Sequence, residues 1–420
     1  MTFTKPALLL LIIATLVTTG CKKSSSSGSG GSTDSTGTGT GSTLSIQSIN
    51  PTSGPEGTGI TVTGTDFGTT AANDSFFVNG HYAALGTLTA TTATIQVPVR
   101  AGTGAVTVKV GGAGATGPVF TYQYTIASSV FAGNGNINQV NGQGKAASFL
   151  YPSGIAMDAS GNLFVAESGS GAIRTISPSA TVGILPVYAE ATIDILSGAA
   201  NFVEGDIIGL SLDSTTDILW VGSAWDKVLS ISTPETAAVE GQLPVGGAQM
   251  ISQYYGPIGL AAAKGMLYIL DYETNDLQVI AKNGDQQSSN VVTGFNGPAA
   301  IAIDDSSNLY IANTAGNNIL KSTSGGSFTV LAGSGAAGKA DGTGTAASFN
   351  GPQGIAVDHA GNVYVADSYN QAVRMITPAG VVTTFPGQYS YPCGIVTDLA
   401  GDTLFVTDAV GCVVYKITIQ

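Results

Sequence analysis

Two histidines, His81 and His359, are all the imidazole this chain of 420 residues carries, and that count removes most catalytic chemistry. A zinc site built from several His is excluded, and no Ser-His-Asp set is arranged for nucleophilic attack. The glycine-rich run AGSGAAGKADGTG at 332–344 is not followed by a helical pattern, so it does not cradle a phosphate. Carboxylates recur in two places. Asp158, Asp304, Asp358 and Asp398 fall in polar turns, where Asp bonds its own backbone. Glu167, Asp271, Asp367 and Asp408 end strands, where they tie down the loop that follows. Asp206 and Asn296 are the candidate metal ligands outside these two groups, and no convergent acidic set joins them. What is left is aromatic: Trp225, Tyr272 and Tyr369 in one class of loop, Tyr151, Tyr255 and Tyr391 in another. Flat rings with a polar edge suit sugar faces or extended peptides, because they give contact area at low entropic cost.

These residues are positioned by a repeat. Residues 132–178 and 332–378 align without a gap, matching Phe149 to Phe349, Pro152 to Pro352, Gly154 to Gly354, Asp158 to Asp358, Asn162 to Asn362 and Arg174 to Arg374. Weaker copies lie between and after them, marked by PSGIAMD, GDIIGLSLD, GPIGLAAA, GPAAIAID, GPQGIAVD and YPCGIVTD. Each pairs an alternating strand with a polar turn and a second strand such as NVYVAD. Six units of roughly 40 to 55 residues fit four-stranded propeller blades. The sixth lacks a fourth strand, and SSVFAG at 128–133 is the candidate to complete it and leave no open edge. Arg174, Arg374, Lys321 and Lys416 fall in third strands, to pair locally or face solvent.

The signature of residues 332–376 resembles the NHL repeat, and residues 132–176 resemble it well. Over residues 44–126, Ile49-x-Pro51-x-x-Gly54-Pro55, Gly64-x-x-Phe67-Gly68 and Val78-Asn79-Gly80 resemble the IPT/TIG immunoglobulin-like domain. The expected fold is therefore all-β: a small immunoglobulin-like β-sandwich (44–126), then a six-bladed NHL-type β-propeller (127–420). The resemblance implies a ligand face at the end bearing the Pro-x-Gly entries and the loops between second and third strands. It implies a spacer or binding role for the sandwich. Some NHL propellers bind RNA through a basic face. Here Lys and Arg number 14 against 27 Asp and Glu, a net charge of −13. A surface with that balance does not neutralise phosphates, so nucleic acid is not an expected partner.

The first 20 residues read as a signal peptide, with an apolar run from Ala7 to Val17 too short to span a bilayer. Gly20-Cys21 resembles a bacterial lipoprotein box, with Thr18 where Leu is usual, and implies lipidation of Cys21. Residues 21–43 are a Ser/Gly-rich tether, a random coil of roughly 25 Å span. The expected place is the cell envelope, as an outer-membrane lipoprotein facing the periplasm or the surface. The remaining cysteines, Cys393 and Cys412, share the sixth unit. Two thiols in an oxidising compartment usually pair, yet the strands involved stand about two sheet spacings apart, roughly 9.6 Å. A disulfide and two free thiols are both open. Two functions follow: a non-catalytic binding module for a glycan or peptide with no cofactor, or a metal-dependent propeller enzyme of lyase or lactonase type, with calcium as the candidate ion.

Overall fold

Alternation of apolar and polar residues builds the first domain. In Gly59–Thr65, Ile60 and Val62 point inward; in Asp74–Val78, Phe76 and Val78 do. The computed structural model describes residues 43–70, 74–185, 207–213, 218–223, 227–232, 249–253, 257–281, 290–323 and 327–420. Its first eight strands bond in the order Ser45–Asn50, Gly59–Thr65, Thr92–Gln96, His81–Leu88, Asp74–Val78, Gly104–Val110, Ala113–Tyr122, Ser53–Gly54. The first and seventh of these also touch, which folds the layers over one core containing Ile60, Val62, Phe76, Ile95, Val106 and Phe120. Phe67 meets Phe76 edge-on at 5.5 Å.

Among the described residues, the strands from Ile126 to Ile419 form six further sheets of four or five strands. Five of these blades each come from one continuous stretch of chain. The ring is completed by a composite one, in which Ile126–Ala132 pairs antiparallel with Val413–Ile419. The innermost strands are Pro152–Met157, Ile207–Asp213, Pro257–Ala263, Pro298–Ile303, Pro352–Val357 and Pro392–Thr397. Each touches the next, and the last touches the first. That closed cycle is a β-propeller arrangement. An innermost strand has no partner on its axial side, so Pro is tolerated at its first residue. The side chains of the strands pack between neighbouring blades. Second strands do so most fully: every residue of Val363–Asp367 is buried, and so is every residue of Leu163–Glu167.

Two blades carry an extra outer strand, Gly142–Gln143 and Gly342–Thr343, at the end of a long glycine-rich connection. These are also the blades with a third-strand arginine. Arg374 donates to Asp367 at 2.9 Å and Asp341 at 2.7 Å, and to the carbonyls of Ala340 and Ser348 on the connection. Arg174 does the same with Glu167 at 2.6 Å, Asn141 at 2.8 Å, Val140 and Ser148. Each guanidinium lies 5.1 Å from a phenylalanine centroid, Phe349 or Phe149. Both arginines are fully buried, so local pairing is the outcome and solvent exposure is not. Lys321 and Lys416 sit over Tyr310 and Phe405.

The sandwich meets the propeller at the end carrying the first-to-second strand turns. Arg100 reaches Asp402 at 3.0 Å and Asp358 at 3.5 Å, in the turns of two adjacent blades. Tyr124 packs against the core between those blades. Thr125 and Gln420 exchange backbone hydrogen bonds of 2.7 and 2.9 Å.

Candidate functional site

The recurring acids set the site's geometry. Asp158, Asp304, Asp358 and Asp398 accept backbone N–H groups within their own turns. Burial would raise the Asp304 carboxyl, but hydrogen bonds from Asn308, Tyr310 and the Ser306 backbone hold it below its ordinary value. At the other end, Asp367 accepts the Asn350 N–H at 2.8 Å, Glu167 the Leu150 N–H at 3.1 Å, and Asp408 the Tyr391 N–H at 2.9 Å. Asp271 accepts the N–H groups of Glu273 and Thr274 at 3.0 and 3.1 Å. These carboxylates shape the loops that surround the axis.

Inside those loops is an axial cavity of about 450 Å³, within the usual range for a small-molecule site. All six inner strands line it, each with the same three consecutive positions. The first of these is Ser153, Ile208, Ile258, Ala299, Gln353 or Cys393. In every inner strand the register shifts at that residue, between Pro152 and Ile155, Ile207 and Gly209, Pro257 and Gly259, Pro298 and Ala300, Pro352 and Gly354, and Pro392 and Ile395. A bulge leaves one residue unpaired and re-aims its side chain; here it turns that side chain to the cavity. The second position is Gly in five blades and Ala300 in the other. Glycine is required by close approach: a methyl on Gly354 would overlap the Cys393 carbonyl oxygen, and one on Gly394 the Ser153 carbonyl oxygen of the next blade. The third position is Ile or Leu throughout.

Three loops overhang this ring, contributing Tyr272 and Glu273, Thr314, and Tyr369. Thr314 is fixed by donating to the Pro352 carbonyl at 2.6 Å, and Ser368 beside Tyr369 by donating to the Pro392 carbonyl at 2.7 Å. The Tyr369 ring lies on Gly351 and the Tyr272 ring on Gly297, with no Cβ to lift either. Each keeps much of its surface open, 61% for Tyr369 and 46% for Tyr272. Tyr391 meets Tyr369 edge-on at 5.7 Å, and Gln353 donates to its hydroxyl at 2.6 Å. Burial, with Tyr369 beside it, pushes the Tyr391 hydroxyl well above its ordinary value.

Of the aromatic candidates, then, Tyr272 and Tyr369 line the cavity, and Tyr391 packs against Tyr369 without lining it. Tyr151 is exposed and rests over Gly169, outside the cavity wall. Trp225, Tyr255, Asp206 and Cys21 lie outside the described residues. Asn296 does not line the cavity; its backbone N–H donates to Asn313 and its carbonyl accepts from Ala315 and Gly316. Among the described residues no three His, Cys, Asp or Glu side chains gather as a metal-ligating set. Of the two arrangements left open for Cys393 and Cys412, the structure has both as free thiols. The Cys393 thiol donates to the Pro152 carbonyl of the next blade at 3.3 Å and lies 3.4 Å from the Thr407 hydroxyl, while that of Cys412 donates to the Ala409 carbonyl at 3.5 Å. Burial pushes the Cys393 thiol up to about 11. Glu273, Thr314, Gln353, Ile208 and Ile258 were not singled out in sequence, although the residue before each repeated glycine marked three of them.

The comparisons agree with this architecture. Residues 44–124 match the IPT/TIG domain and residues 349–374 the NHL repeat. A protein of unknown function from Bacteroides thetaiotaomicron VPI-5482 is similar in structure, with TM-score 0.59 and 17% identity over 91% of this chain and 99% of its own. So is an auxiliary nutrient binding protein from the same organism, with TM-score 0.57 and 17% identity over 90% of this chain and 98% of its own. A further auxiliary nutrient binding protein, from Bacteroides ovatus ATCC 8483, gives 0.56 and 17% over the same shares. At such identity the likeness shows the fold alone. No curated protein matches the chain by sequence. The chain joins an IPT/TIG immunoglobulin-like domain to a β-propeller that carries an NHL repeat.

Proposed function

We propose that this protein is a non-catalytic binding module that takes a neutral glycan at the axial mouth of its propeller. The observation that carries the reading is the pair of tyrosine rings laid on glycines at the cavity edge, Tyr272 on Gly297 and Tyr369 on Gly351. A ring held in this way presents one face without further ordering cost, and the aliphatic face of a sugar stacks on such a surface. Hydroxyl groups find Gln353, Thr314 and Glu273 within the same wall. Glu273 is the only Asp, Glu, Lys or Arg among the described lining residues, so nothing there attracts a phosphate or a uronic acid. The name of two structural neighbours, auxiliary nutrient binding protein, agrees with a binding role.

In this reading a lipid on Cys21 anchors the protein in the cell envelope and residues 21–43 serve as its leash. The sandwich contacts the turn end of the ring through Arg100, the end away from the mouth. The test is a glycan array and a peptide array probed with the signal-free protein and with Tyr369→Ala. Neutral glycans retained by the first and lost about tenfold or more by the second are the expected outcome. Binding confined to peptides would replace the ligand class, and glycan binding indifferent to Tyr369 would move the site elsewhere. Mass spectrometry of the protein expressed with its leader tests the lipid, which Cys21→Ser should abolish.

A further inference from the structure

The six bulged residues around the mouth are not mixed at random. Taken in ring order, Ile208, Ile258 and Ala299 are consecutive and apolar, while Gln353, Cys393 and Ser153 are consecutive and polar. The mouth therefore has an aliphatic half-wall and a hydrogen-bonding half-wall at the same depth. Ser153 donates to the Ala166 and Ile207 carbonyls at 3.3 and 3.4 Å, which leaves its oxygen able to accept. Gln353 commits an amide N–H to Tyr391 at 2.6 Å, and its amide oxygen has no partner among the described residues. A plain hexose has hydroxyls around its whole edge. Set in this mouth it would strand some of them against Ile208 and Ile258, and an unpaired buried hydroxyl is costly.

We infer that the mouth selects a neutral sugar bearing a methyl group, with the methyl against Ile208, Ile258 and Ala299 and the hydroxyl edge toward Gln353 and Ser153. The inference rests on the glycan reading above and narrows it. The methyl can belong to an acetamido group or to a 6-deoxy carbon; both present the same apolar tip. Burying one methyl in such a wall, without stranding a hydroxyl, favours the methylated sugar by at least about fivefold.

The experiment is an NMR titration of the signal-free protein with two matched pairs, N-acetylglucosamine against glucose and L-fucose against L-galactose. A preference of about fivefold or more for the methyl-bearing member of one pair is expected, and the pair that shows it identifies the group. The variant Ile258→Thr, which sets a hydroxyl in the aliphatic half-wall, should shrink that preference at least about twofold. Its thermal unfolding is followed alongside, and the wild-type pairs stand without it. Equal affinity within both pairs would overturn the methyl selection and leave glycan binding intact. A preference unchanged by Ile258→Thr would overturn the placement of the methyl. No binding of any sugar, with peptides bound instead, would overturn the glycan reading itself.

Discussion

The first and fifth blades are the closest copies in the chain, and they differ where a tyrosine stands. In the first, Tyr151 occupies the entry to the inner strand and rests over Gly169 of the loop. In the fifth the pair is exchanged: Gly351 occupies the entry and Tyr369 the loop. The backbone is the same in both, left-handed at the entry with φ of 52° at Tyr151 and 59° at Gly351. Only Tyr369 reaches the axial cavity. The clamp beneath is common to both blades, an arginine over a phenylalanine with an end-of-strand acid. What repeats holds the ring together, and what breaks the repeat faces the ligand.

The largest effect should come from breaking the shared clamp. Arg374→Ala leaves Asp367 buried without its cation and is expected to cost about 3–5 kcal/mol in urea unfolding. Arg174→Ala should cost somewhat less, because Arg374 serves two carboxylates, Asp341 and Asp367, where Arg174 serves Glu167 and the uncharged Asn141. Equal losses would show that the half-exposed Asp341 contributes nothing.

The ring glycines should come next. Gly354→Ala drives a methyl into the Cys393 carbonyl, an overpacking expected to lower stability by about 1–3 kcal/mol. Ala300 fills the matching position in the fourth blade, so Ala300→Gly should change stability by under ~1 kcal/mol. A calorimetric scan of both variants checks the contrast.

The matched cavity position separates the blades by pH. Burial raises the Cys393 thiol from its ordinary 9.0 to about 11, so the folded state holds the proton more tightly than the unfolded one. Its contribution is complete below pH 9 and is lost as pH rises from 9 toward 11, by up to ~2–3 kcal/mol. Cys393→Ser, which gives the sixth blade the residue of the first, should flatten the alkaline fall in melting temperature. Tyr310, Tyr364 and Tyr389, raised chiefly by burial, keep some slope in either protein. A slope untouched by the substitution would assign it to the other groups that burial raises, Tyr391 and Cys412 among them.

The smallest effect on stability belongs to the tyrosine exchange. Tyr151→Gly relieves a left-handed side chain and should stabilise by up to ~1 kcal/mol with ligand binding unchanged. Tyr369→Gly should move stability by less than ~1 kcal/mol yet weaken glycan binding about tenfold, as surface plasmon resonance would show. Equal binding losses in the two would end the distinction drawn between them.

Much of the frame was readable from residues alone. The alternation of strands such as NVYVAD, the Asp-to-Asn turns and the end-of-strand acids all act within a few residues of themselves. Local hydrogen bonding therefore gives them one meaning, and the structure bears out their structural role. The site was readable in part. Tyrosines at the loops were visible as ligand-face candidates, but which of them reach the axis depends on a partner glycine in a different segment, Gly297 for Tyr272 and Gly351 for Tyr369.

The sequence by itself determined that this protein is all-β, that its repeat makes blades, and that His-based metal chemistry has too few ligands. Those conclusions need only periodicity, spacing and a count. The tertiary structure decided the rest: that bulges turn Ser153, Ile208, Ile258, Ala299, Gln353 and Cys393 to one cavity, that Cys393 and Cys412 face apart, and that both arginines are buried. The first depends on how closely separate blades approach around the axis, where glycines touch carbonyls far away in the chain; the arginines depend on the connection whose carbonyls close over them.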